Sequence, residues 1–175
     1  MKLHTYPCRF GFCCITTADD GWLCGVELAK TSEEAIMLAS LRFAKLGNKM
    51  HYEPAPSELV AQVLQAIDDG IVDPNIPIRY MSGTWLQREV WLALRETHLG
   101  EKISYKELAA KVGYPSSIRP VASAVGENPL AVIVPCHRAV RSDGSDSGFR
   151  WGIDVKRQLL LQEELLVRPM QVVLP

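Results

Sequence analysis

The chain has 175 residues, 47% of them apolar and 22% charged, enough to bury a core without disulfide staples. A net charge of −1 excludes bulk electrostatic capture of nucleic acid, so any such partner must be held by a local patch. No apolar run reaches the roughly 18 residues of a membrane span, and residues 1–30 lack a basic segment leading into a long apolar one, which predicts a cytoplasmic protein with no membrane partner.

FGFCCITTADDGWLCGVELA predicts two strands around the hairpin signal Asp20-Gly21. SEEAIMLASLRFAKLG predicts a helix capped by Ser32, acidic in its first turn and stopped by Gly47. A second helix is predicted from Ser57 to about Asp69, with Leu59, Val60, Val63, Leu64 and Ile67 on one stripe. IPIRY predicts a short strand. Residues 1–80 thus form a small α/β subdomain of sheet plus helices, and carry 7 Lys/Arg against 10 Asp/Glu.

Residues 81–175 are expected to be mainly α, with 12 Lys/Arg against 10 Asp/Glu. TWLQREVWLALRETHLG predicts a helix with Thr84 and Gln87 in capping-box spacing and Gly100 as its stop; Leu86, Val90, Trp91 and Leu94 form the stripe, and Trp85 and Trp91 are expected in the core. SYKELAAKVG repeats the capping-box spacing with Ser104 and Glu107. A third helix is predicted over about Ser117 to Gly126, with Pro120 in its first turn. These two short helices and their Gly-containing turn are compatible with a helix-turn-helix or with an ordinary helical hairpin. ENPLAVIVPCHRAV predicts a buried strand ending at a thiol, RSDGSDSGFRWG a polar loop, and DVKRQLLLQEELL a last helix capped by Asp154.

Five cysteines stand at 8, 13, 14, 24 and 136, an odd and uneven set that does not suggest a disulfide framework. His4, Cys8, Cys13, Cys14 and Cys24 could suggest zinc. No C-x-x-C spacing is present, however, and core packing within strands explains Cys13, Cys14 and Cys24, so no metal is expected. Cys136 is different. A free cysteine is often a small core residue. Yet Pro135 cannot donate to a sheet ladder, so a strand should end there, and His137 and Arg138 place groups beside the sulfur that favour thiolate. In extended chain His137 would point away from the sulfur, so it would act as base through a water, oriented by a carboxylate such as Glu163 or Glu164.

The segments ISY (103–105), RPVASAVGENP (119–129), VIVPCHRAV (132–140), GFRWG (148–152) and VKRQLLLQEE (155–164) together resemble the O6-alkylguanine-DNA alkyltransferases over about residues 82–166. The resemblance implies a helix-turn-helix and a suicide repair reaction. An alkyl group would pass from O6-alkylguanine in double-stranded DNA, with O4-alkylthymine left open as a second substrate, irreversibly to the protein, without a cofactor or an obligate protein partner. It implies Cys136 as nucleophile and acceptor, His137 as base through a water, Glu163 as its partner, Asn128 as brace of the turn, and Tyr105 as donor to the departing guanine. Arg119 would fill the gap left by the flipped base, and Ala122, Ser123 and Ala124 would allow close approach to the minor groove. Phosphate contacts would come from Lys102, Lys106, Arg119 or Arg141. Residues 146–151 would line the alkyl pocket with Pro135; Phe149 there lacks the hydroxyl of the family's more usual tyrosine, and Arg150 and Trp151 would narrow the pocket. Two other functions fit the bare residues: a turnover thiol hydrolase or acyltransferase using Cys136, His137 and Glu163, and a helix-turn-helix binding module with an inert cysteine.

Overall fold

The computed structural model describes residues 1–145 and 148–171. Chain contacts group them into two compact units, Met1–Gly83 with Pro129–Ile133, and Thr84–Asn128 with Val134 onward. The boundary is therefore not one cut near residue 80, because a five-residue piece of the later sequence packs with the first unit.

The first unit is a four-stranded sheet with helices. Strands β1 (Lys2–Cys8), β2 (Gly11–Thr17) and β3 (Leu23–Ala29) form an antiparallel meander, and the short β4 (His51–Tyr52) adds parallel to β1, giving the order β3-β2-β1-β4. The Asp20-Gly21 turn is present, with Gly21 at φ 89°. Helix α1 (Ser32–Ala44) buries Ala35, Ala39 and Phe43, four residues apart, as one stripe. Its cap is Thr31 rather than Ser32: the Thr31 hydroxyl accepts from the Glu34 amide at 3.2 Å. Phe43 fixes the residue it meets on β3, since a Cβ on Gly25 would lie 2.8 Å from the Phe43 ring. Helix α2 (Glu58–Asp69) starts at Ser57 and ends in left-handed Gly70, as the pattern predicts.

Two expected strands are reduced. IPIRY contributes a single bridge, Ile78 to Leu23. The predicted strand before the thiol contributes only Leu130, paired with Val26. The Val26 amide donates to Pro129 O at 2.9 Å, the Ala131 amide donates to Val26 O at 3.1 Å, and the chain then turns. Val132 sits at φ 67°, flanked by an Ile133 amide donating to Ala131 O at 2.7 Å. That is the rare, strained form of three-residue turn, here in a buried β-branched residue. Apolar continuity suggested a strand; the hydrogen bonds choose consecutive turns.

The cysteines of this unit pack as strand residues. Cys13 and Cys14 point to opposite faces of β2. The Cys13 thiol donates to Tyr6 O at 3.6 Å and the Cys24 thiol to Trp22 O at 3.5 Å. His4 pairs with Thr17 Oγ1 at 3.2 Å.

The second unit is mainly helical: α3 (Trp85–Arg95), α4 (Tyr105–Lys111), α5 (Ile118–Gly126) and α6 (Ile153–Gln171), with a two-strand parallel pair, β5 (Ile103–Ser104) and β6 (Ala139–Val140). Both capping boxes form, Thr84 with Gln87 and Ser104 with Glu107, each in both directions. Helix α3 packs on α5 through Trp91, whose indole N–H donates to Ala124 O at 2.8 Å. Trp85, expected in the core, is 62% exposed and meets Tyr114 edge-on at 6.0 Å between centroids. It is the first residue of α3, ahead of the buried stripe. Asp154 is the second residue of α6 and not its cap; Gly152, at φ 101°, precedes the helix. No described helix is long and apolar enough to cross a membrane.

Candidate active site

Cys136, His137 and Arg138 form one short 3-10 turn, not extended chain. Pro135, at φ −78° and ψ 61°, is the centre of an inverse γ-turn in which the Cys136 amide donates to Val134 O at 2.7 Å. The Arg138 amide then reaches Pro135 O at 3.0 Å, and the Ala139 amide closes the turn on Cys136 O. Pro135 is thus buried and shapes the backbone that carries the thiol.

Asn128, fully buried just after α5, holds this turn from the side. Its Nδ2 donates to Val134 O at 3.0 Å and to the Cys136 sulfur at 3.1 Å. His137 Nε2 lies 2.8 Å from Glu163 Oε1 on α6. The carboxylate only accepts, so Nε2 carries the proton and Nδ1 the lone pair. Nδ1 is buried and has no hydrogen-bond partner among the described residues. Of the two candidate carboxylates, Glu163 is buried, whereas Glu164 is exposed and pairs with Arg168 at 2.7 Å.

Arg138 does not stand by the sulfur. Its Nε lies 3.0 Å from each Glu163 oxygen, Nη2 lies 2.9 Å from Oε1, and Nη1 donates to Thr97 O at 2.6 Å and Oγ1 at 2.9 Å. The Gly100 amide donates to Glu163 Oε2 at 3.0 Å. One carboxylate therefore gathers the thiol-bearing turn, α6 and the segment after α3. Burial opposes its ionisation, but hydrogen bonds from His137 and Arg138 and their charge hold it down to about 2.

The electrostatics correct the expectation of a ready thiolate. Cys136 is 4% exposed, and burial pushes its thiol up to about 11; the Asn128 hydrogen bond and the charges of Lys156 and Arg150 pull only partly the other way. Burial likewise lowers His137, against the opposing pull of Glu163. The resting pair is a neutral thiol beside a neutral imidazole.

The remaining predicted residues are placed as follows. Tyr105 is half-buried at the start of α4, and Arg119 is exposed in the first turn of α5. Ser123 is exposed and Ala122 half-buried, but Ala124 faces inward, its carbonyl accepting from Trp91, so it cannot present its methyl to a ligand. Phe149 and Trp151 meet edge-to-face at 5.3 Å, and Arg150 between them is exposed. Asp146 and Ser147, the start of the predicted pocket loop, lie outside the described residues. Among the described residues no three His, Cys, Asp or Glu side chains converge as a metal site.

A relative from Debaryomyces hansenii, a methylated-DNA–protein-cysteine methyltransferase, is 33% identical over 168 residues, covering 90% of this chain and 86% of the relative. The chain belongs to that family. Residues 85–165 match the family described as the 6-O-methylguanine DNA methyltransferase DNA-binding domain. The regulatory protein Ada of Salmonella typhimurium is 41% identical over 157 residues, covering 88% of this chain; the chain spans 43% of Ada's length. Among solved structures, Mycobacterium tuberculosis OGT in complex with DNA superposes with a TM-score of 0.78 at 26% identity, covering 94% of each chain.

No pattern in the sequence marks Arg138 or Gly100 as a partner of Glu163, or Thr97 as a partner of Arg138. Lys156, fully buried on α6 with Nζ 2.6 Å from Ala139 O, was equally unmarked.

Proposed function

We propose that the protein transfers a methyl or other alkyl group from O6-alkylguanine in double-stranded DNA to Cys136, once per molecule, with O4-alkylthymine as a related substrate. The observation that carries this is the pairing of a buried thiol, braced by Asn128, with a neighbouring imidazole whose Nε2 is held by Glu163 and whose Nδ1 is left with a lone pair.

A water between Nδ1 and the sulfur lets His137 take the thiol proton as the alkyl carbon approaches. The sulfur–carbon bond forms, the carbon–O6 bond breaks, and Tyr105 supplies the hydrogen bond or proton that lets guanine leave without full negative charge. The protonated imidazole is stabilised by Glu163. Because the resting thiol is neutral, ionisation is coupled to substrate entry. The product is a thioether with no group beside it to hydrolyse it. The lesion must leave the duplex to reach a buried sulfur, so α4 and α5 act as a helix-turn-helix that lays α5 on DNA, with Arg119 in the vacated space and Ala122 and Ser123 at the surface. Residues 81–175 form the alkyltransferase domain in this account, Phe149, Arg150 and Trp151 bound the alkyl pocket, and the protein works in the cytoplasm.

Intact-mass spectrometry after mixing with O6-methylguanine duplex tests this. One adduct of about +14 Da, absent in Cys136→Ala, is the expected result. Repeated product release from unmodified protein would instead establish a hydrolase, and tight DNA binding with no adduct a binding module.

A further inference from the structure

Tryptophan is on average a well-buried residue, and an apolar patch left in water marks a surface that something covers. Trp85, the first residue of α3, is 62% exposed, and its ring meets that of Tyr114 edge-on at 6.0 Å between centroids. Tyr114 is itself 39% exposed and opens the turn between α4 and α5; its amide donates to Ala109 O at 2.8 Å and its carbonyl accepts from the Ser117 amide at 2.8 Å. Ile118, the first residue of α5, is 40% exposed, and Pro115, Arg119 and Pro120 beside it in the chain are exposed too. The hydrogen bond between α3 and α5 comes from Trp91, on the buried stripe, so neither exposed ring is needed for it.

We propose that Trp85 and Tyr114 form a contact for the DNA backbone. The indole packs on a deoxyribose of the strand that α5 approaches, and the Tyr114 phenol donates to a phosphate oxygen. Position, charge and size all favour DNA as the occupant. The two rings border the turn that leads into α5, so they continue the surface already assigned to DNA. From Tyr114 to Gly126 the charged residue is Arg119, with no Asp or Glu, which suits a polyanion. A handful of side chains falls far short of the roughly 20–30 residues a side of a stable protein interface, but is enough to meet one strand. Because the chain's net charge is −1, apolar contact supplies affinity that phosphate pairing alone does not.

The inference rests on the DNA-binding reading above and adds the start of α3 to its interface. Anisotropy of a labelled, unmodified duplex is measured across a salt series with wild type, Trp85→Ala, Trp85→Phe and Tyr114→Ala. Trp85→Ala should bind about tenfold more weakly at each salt concentration, with the slope against log salt unchanged, because an apolar contact releases no counterion. Trp85→Phe should recover most of the loss, and Tyr114→Ala should weaken binding as well. Radical footprinting of the wild type needs no variant: oxidation of Trp85 and Tyr114, read by peptide mass, should fall when duplex is bound. Wild-type affinity in Trp85→Ala, or equal oxidation with and without duplex, would overturn the proposal while leaving the DNA reading intact; a wild type that binds no duplex would overturn both. A wild-type dimer in sedimentation that Trp85→Ala abolishes would give the patch to a second copy of the chain and overturn it equally.

Discussion

Glu163 carries more of the site than any other single side chain. It accepts from His137, Arg138 and the Gly100 amide at once. Glu163→Gln keeps the shape but removes the charge, leaving the Arg138 guanidinium buried without a counter-ion. Such a loss costs about 3–5 kcal/mol, so the thermal midpoint should fall by several degrees, as calorimetry would read. The same network sets the acid response. Glu163 ionises near 2 in the folded chain and near the ordinary carboxylate range when unfolded. Its stabilisation is therefore complete above the unfolded value and is lost as pH falls towards 2. His137 adds to this in the same direction: it is lowered in the folded state, so the unfolded chain takes up its proton first, from about 6.5 downward. Denaturant titrations should show stability declining from about pH 6.5 to pH 2, with the lower part of the decline missing in Glu163→Gln.

At the scale of elements, local chemistry and tertiary fit can be tested apart. Ser104 caps α4 beside Tyr105, and its hydroxyl accepts from the Glu107 amide at 3.1 Å. Ser104→Ala should cost about 1 kcal/mol in urea unfolding, the usual loss for a cap. Gly25 has no such local role; its constraint comes from a ring on another element. Gly25→Ala brings a methyl to 2.8 Å of Phe43 and should cost about 1–3 kcal/mol, partly recovered in Gly25→Ala with Phe43→Leu. Caps, the Asp20-Gly21 turn and the α2 boundaries follow from side chains within a few residues, so they are legible in the sequence. The segment after Pro129 is not. Leu130 to Val134 has the composition of a strand, but Pro129 and Ala131 are satisfied by Val26, more than a hundred residues earlier.

For the whole molecule, a net charge of −1 leaves DNA affinity to a few cations. Lys102, Lys106, Arg119 and Arg141 are four, so the slope of log affinity against log salt should be no steeper than about −3.6. Fluorescence anisotropy with duplex DNA measures it, and a steeper slope would mean that cations beyond these four touch phosphate.

The sequence alone determined the family, both capping boxes and the ends of α2, because order and spacing of a few reactive and capping residues survive without knowledge of distant contacts; the expected stop of α3 at Gly100 was not met, since that helix ends at Arg95. Only the tertiary structure decided that the thiol rests protonated, that Arg138 serves Glu163 and not the sulfur, that Trp85 is exposed and Ala124 buried, and that a lysine is sealed beneath the turn. Each of those depends on which charges and surfaces lie together once water is excluded, and desolvation is set by three-dimensional neighbours rather than by position along the chain.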